Sequence, residues 1–171
     1  MLKGEDIVVL LKLASKSPDW TVRSLEAEIG VARSVIQRSI VRLSQAGLLD
    51  EGRRRVNVGR AEELLIHGVK YMFPPVHGGE ARGVPTAWAA PPLQKELASS
   101  DELPPIWPDP MGRMRGLALE PLHDSAPEIS RRDPDLSELL ALVDGIRLGD
   151  ARVRSLAERL LSERLGSAVE T

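Results

Sequence analysis

The chain of 171 residues has no cysteine, so disulfides, thiol chemistry and cysteine-based zinc fingers are excluded. Aromatic residues make up only 3% of it, which leaves aliphatic side chains to build the core and argues against a single-strand binder that stacks bases on exposed rings. Long apolar runs are missing as well. The stretch from Ile7 to Leu11 follows Glu5 and Asp6 and is broken by Lys12, too short and too acidic for a signal peptide and far short of a bilayer span. No membrane association and a cytoplasmic location are therefore expected. A large excess of either charge is also lacking, because the formal net charge is -2.

The distribution of charge says more than its sum. Residues 1–72 hold 12 Lys and Arg against 9 Asp and Glu, whereas residues 73–134 hold 6 against 9 and residues 135–171 hold 5 against 7. All the positive excess thus lies in the N-terminal section, where an anionic partner is to be sought.

Helical periodicity organises that section. Ile7, Leu10, Leu11 and Ala14 fall on one face of a helix over residues 5–15, which Ser17-Pro18-Asp19 then breaks. Thr21 can cap a second helix from Val22 to Ile29 with Leu25 and Ile29 turned inward, and Gly30 supplies the left-handed residue for a sharp turn. A third helix begins two or three residues later. Its Ile36, Ile40 and Leu43 repeat at steps of four and three and must be buried, which leaves Arg33, Ser34, Gln37, Arg38 and Arg42 around the outside.

An exposed helical face with arginines, an amide and a hydroxyl, and no acid, suits the major groove of DNA. Arginine pairs with guanine O6 and N7, glutamine with adenine N6 and N7, and Ser34 at the helix start favours a phosphate. Leu48 to Val58 then reads as two short strands joined by a tight turn. Three arginines in a row at its tip, Arg53, Arg54 and Arg55, repel one another and become useful against backbone phosphates or in a narrow minor groove.

Residues 5–60 resemble the bacterial winged helix-turn-helix of the MarR-type regulators. The residues that carry the resemblance are Thr21-Val22-Arg23-Ser24-Leu25, Ile29-Gly30-Val31-Ala32-Arg33-Ser34, Ile36, Ile40, Leu43 and Ala46-Gly47-Leu48-Leu49. Such a family implies a recognition helix in the major groove, a wing along the backbone and a homodimer on a pseudo-palindromic site. Arg33, Gln37 and Arg38 are then expected on bases or phosphates, Arg42, Arg53, Arg54 and Arg55 on the backbone, and Thr21 and Arg23 on phosphate from the second helix. Two positions depart from the pattern. Glu26 stands where a small residue usually lets the helices approach, and Ala32 stands where serine or threonine would cap the recognition helix, a loss of about 1 kcal/mol.

Twelve of the thirteen prolines lie between Pro74 and Pro134, so residues 73–134 are expected as an extended arm without a regular helical or sheet core, packed on something through Trp88, Trp107 and scattered aliphatics. The two tryptophans either anchor a partner protein or pin the arm onto the chain's own helices. After them Asp133 can cap a helix with Pro134 at its first position and Leu136, Leu139, Leu140, Val143 and Ile146 as its stripe. Gly149 ends that helix, Asp150 caps the next, and Val153, Leu156, Leu160 and Leu161 complete a C-terminal helical hairpin.

The expected fold is mainly α with a small β-hairpin wing: a winged helix-turn-helix over residues 1–72, the arm over 73–134 and the hairpin over 135–171. His67, His77 and His123 are lone imidazoles that suggest no metal, and neither a glycine-rich phosphate loop nor a serine elbow points to catalysis or a cofactor. The expected function is that of a sequence-specific double-stranded DNA-binding transcriptional regulator, most simply a dimeric repressor, with the dimer contact from residues 135–165 or from Arg60 to Met72. The alternative is an antitoxin-like or adaptor protein whose arm and C-terminal helices wrap a cognate protein while the first module holds the promoter.

Overall fold

The computed structural model describes residues 1–15 and 18–169, and Ser17, assigned to the first helix break, lies outside them. The chain is mainly helical with two small sheets. Helices α1 (Gly4–Ala14), α2 (Val22–Ile29) and α3 (Arg33–Gln45) come first, followed by the two-residue strands β1 (Leu49–Asp50) and β2 (Arg55–Val56). These strands pair antiparallel, Leu49 opposite Val56 and Asp50 opposite Arg55. The hairpin is shorter than expected, because Val58 starts the next helix, α4 (Val58–Glu63), whose cap is the side chain of Asn57. A π turn (Leu64–Gly68) joins α4 to α5 (Val69–Met72).

Helix α1 is not a helix with one apolar face. Every residue from Ile7 to Leu11 is buried, as are Asp6 and Lys12 at either end of that run. An aliphatic helix of this kind requires cover on all sides. The cover the N-terminal module lacks comes from α7 (Pro134–Leu148), which packs against α1 and is itself buried from Leu139 through Arg147. Helix α7 pairs with α8 (Ala151–Val169) as the expected hairpin, but it also packs on α5, on α6 (Ala126–Arg132) and on a 3₁₀ turn at Ala87–Ala89. One apolar core therefore runs through all three stretches of the chain.

Residues 73–134 correct the expectation of an extended arm. They form a three-stranded sheet of β3 (His77–Pro85), β4 (Pro105–Pro108) and β5 (Met114–Leu119), in which each strand pairs with both others and the sheet closes on itself. β3 is antiparallel to β4 and β5, which are parallel to one another. The prolines do not prevent this, because Pro85, Pro105 and Pro108 occupy strand ends, where a missing amide breaks no interior ladder bond. Glycine permits the closure: a Cβ on Gly116 would lie 2.1 Å from the Pro104 carbonyl oxygen.

A single carboxylate ties this sheet to the central helix. Asp144 on α7 is fully buried, and its Oδ2 accepts hydrogen bonds from Trp107 Nε1 at 2.8 Å and Thr86 Oγ1 at 2.7 Å. Its Oδ1 accepts from Arg147 at 2.8 Å, and Arg147 also donates to the carbonyl of Phe73 at 2.8 Å. Burial pushes the Asp144 carboxyl above its ordinary pKa, with Arg147, Thr86 and Trp107 pulling the other way. Trp107 is thus a core residue, and its assignment as an anchor for a partner protein is corrected: the indole nitrogen and ring are both consumed inside the fold.

Asp144→Ala is expected to lower stability by about 3–5 kcal/mol, because it strands a buried guanidinium. It also leaves an indole N–H and a hydroxyl without their acceptor. Urea unfolding measures the loss, and an unchanged midpoint would show that this carboxylate does not hold the segments together.

Candidate nucleic-acid interface

Local sequence builds the second and third helices as their caps require. Thr21 Oγ1 accepts from the Ser24 amide at 3.0 Å while the Thr21 amide donates to Ser24 Oγ at 2.9 Å, a reciprocal cap for α2. Gly30 takes φ +72° at the end of α2, a conformation that strains any residue with a Cβ. Helix α3 then starts at Ala32, which offers no side-chain cap, so its first amides stay open to an outside acceptor.

Ile36 and Leu43 hold α3 against the core, and Arg33, Ser34, Gln37 and Arg38 all stand exposed on its other side, together with Val41 and Gln45. No residue of α3 is acidic. Arg23, at the start of α2, is exposed too, and neither it nor Gln37 or Arg38 has an internal side-chain partner among the described residues. Arg33 pairs with Glu26 at 3.0 Å, so Glu26 reaches across the α2–α3 turn to a guanidinium. Both side chains are largely in water, where such a pair contributes little and yields readily to a stronger anion.

Two arginines assigned to the DNA backbone are placed differently. Arg42 turns inward: its Nε and Nη2 donate to the two oxygens of Asp6 at 2.8 Å each, and Nη2 reaches Glu5 at 3.3 Å. Asp6 is completely buried, and a charge there requires a cation beside it. Burial pushes the Asp6 carboxyl up, but the Arg42 fork and the Lys3 amide outweigh it and hold the group below the usual carboxylate range.

Arg54 is the other. It sits at φ +56° in the β1–β2 turn, with its guanidinium stacked 4.1 Å from the centre of the Trp20 ring. It donates to the carbonyls of Pro18 and Trp20, and Trp20 Nε1 donates back to the Arg54 carbonyl at 3.0 Å. It staples the hairpin to the segment before α2, so the arginine triplet is partly structural after all. Arg53 and Arg55 remain at the exposed tip, Arg53 only 3.8 Å from Asp50 in a loose pair.

The tryptophans lie elsewhere. Trp88 is half-buried against the core and, unlike Trp107, also lines an open cavity with Gln94, Leu97 and Met114. Sequence reasoning missed Arg132 of α6, which donates to the Ala27 carbonyl at 3.3 Å and lies beside Gly30. A residue so distant in sequence carries no local signal of its place. It sits there because Lys12 of α1 bridges Glu28 at 2.8 Å and Asp133 at 2.5 Å, locking the end of α6 to α2. Burial draws the Lys12 ammonium down, and the Asp133 and Glu28 carboxylates more than restore it, leaving it above its ordinary value.

Among the described residues no group of three His, Asp or Glu could hold a metal, and no helix is long and apolar enough to cross a membrane. No protein-family model, curated protein or solved structure matches the chain.

The Asp6–Arg42 pair has a pH signature. A carboxyl whose folded pKa is depressed stabilises above its unfolded value near ~3.9, and the gain is lost as pH falls through the lower folded value. Wild type is therefore expected to lose stability steeply below about pH 4, and Asp6→Asn to show a weaker base stability with a flatter acid limb. Urea midpoints taken across acid pH would test this, and parallel curves for the two proteins would exclude the pair as the source.

Proposed function

We propose that residues 1–72 act as a winged helix-turn-helix that places α3 in the major groove of double-stranded DNA, and that the protein is a transcriptional regulator. The observation that carries this is the solvent face of α3, where Arg33, Ser34, Gln37 and Arg38 are all exposed on a helix without a carboxylate. A face kept only for solubility mixes both signs of charge. Gln37 and Arg38, free of internal partners, are the base-reading candidates, with adenine and guanine as their preferred edges. Arg53 on the β1–β2 turn and Arg55 at the start of β2 serve as the wing contacts to the backbone, and Arg42 and Arg54 serve to hold the module in shape.

A homodimer on a two-fold site belongs to the same proposal. Its support is the exposed apolar group Tyr71, Met72 and Val76 at the end of the α4–α5 stretch, which includes the Arg60 to Met72 segment assigned to dimer contact. Wrapping of a cognate protein by residues 73–134 has lost its motive, because those residues are occupied by their own sheet and by Asp144.

Fluorescence anisotropy with the duplex upstream of the protein's own gene and with a scrambled duplex tests the proposal. A preference of roughly 10³ or more for the native duplex is expected. Gln37→Ala and Arg38→Ala should each remove about 1–3 kcal/mol of discrimination. Arg42→Ala is expected to act through stability and leave the relative preference alone. Absence of binding to either duplex at low salt would reject DNA as the partner, and a strict monomer by light scattering on and off DNA would reject the dimer.

A further inference from the structure

Arg132 closes α6 on the far side of the sheet from α3 in sequence, yet the fold sets it against the helix-turn-helix turn. A Cβ built on Gly30 would lie 3.2 Å from its Nε and 3.3 Å from its Cζ. Three guanidinium-bearing residues, Arg23 of α2, Arg33 of α3 and Arg132, line one open cavity of about 500 Å³ with Glu26 as the one carboxylate in its wall. Arg132 has internal partners, the Ala27 carbonyl at 3.3 Å and Glu128 at 3.1 Å, but Glu128 lies outside the cavity wall and is shared with Arg131. The side chain remains 45% exposed.

With Glu26 on Arg33 and Glu128 shared between Arg131 and Arg132, three guanidinium groups from three separate elements still leave the cavity wall with an excess of positive charge, which gains nothing for folding alone. An anion among them makes that excess favourable, and arginine forks match the oxygens of a phosphate. The position narrows the choice of anion: Arg33 belongs to the face that α3 offers to a duplex, and Arg23 of α2 shares its cavity.

We infer that this cavity receives one backbone phosphate of the duplex bound on α3, and that Arg132 is its third ligand. The inference rests on the winged helix proposal and extends the DNA footprint to a residue outside that module. Helix α6 is then both structural and DNA-binding. Its place is set on one side by Lys12–Asp133 and on the other by the Arg131–Asp109 pair at 2.5 Å, so the sheet and the DNA face are joined through it.

The experiment uses the full chain and the two labelled duplexes across a salt series. Arg132→Gln should weaken native and scrambled duplexes alike and reduce the slope of log K against log salt by about 0.9, one phosphate's worth. Arg132→Lys, which keeps the charge, should retain the slope, as should Arg152→Gln at the exposed start of α8. Thermal melts check each variant, and Arg132→Met, which keeps the aliphatic stem against Gly30, replaces the glutamine if that one melts early. A folded Arg132→Gln or Arg132→Met with the wild-type slope overturns this inference while the winged helix proposal stands. A wild type that binds neither duplex overturns both.

Discussion

Removing a carboxylate from water is among the most expensive acts of folding, and it is tolerated only where donors replace the lost hydration. Asp144 meets that condition with three donors from three places: an indole on β4, a hydroxyl beside the 3₁₀ turn and a guanidinium one turn further along its own helix. The arrangement turns a liability into an address. Residues 73–134 have little helical or strand propensity, yet Trp107 and Thr86 have one acceptor deep in the core, and the sheet that carries them must close around it. Arg147 extends the node to the Phe73 carbonyl and so fixes where that stretch begins.

From that node the rest of the architecture follows by contact. With the sheet docked, Asp109 at its edge holds Arg131, and Lys12 holds Asp133, so α6 is clamped at its end between the sheet and helices α1 and α2. Helix α7 then packs on α1 together with α3 and β2. Asp6 on α1 is buried, and it draws Arg42 away from the surface of α3. The inventory of arginines at the candidate interface is thus decided partly in the core: those with a buried carboxylate or an aromatic ring to satisfy serve the fold, and those without, such as Arg23, Arg38 and Arg55, stay available to a partner.

Much of the N-terminal section is legible from sequence because its signals are local. The Thr21 cap and the left-handed Gly30 act within a few residues, and the spacing of Ile36 and Leu43 marks the side of α3 that packing must bury, so the signals are local even though the helices need the core to be stable. The Asp133 cap with Pro134 behind it is legible for the same reason, and so is the exposed face of α3.

What sequence alone determined, then, is where α2, α3, α7 and α8 start and stop and which side of α2 and α3 is apolar, since caps, turns and periodicity are short-range. Only the tertiary structure decided that a proline-rich stretch is a closed sheet, that α1 has no solvent face, that Arg42 turns inward while Arg54 is held on the Trp20 ring, and that Arg132 stands beside Arg23 and Arg33. Each of these depends on charge pairing or backbone pairing between segments distant in sequence. Such pairs are selected by the shared cost of leaving a buried charge or a strand edge unsatisfied, a cost that exists only once the core has formed.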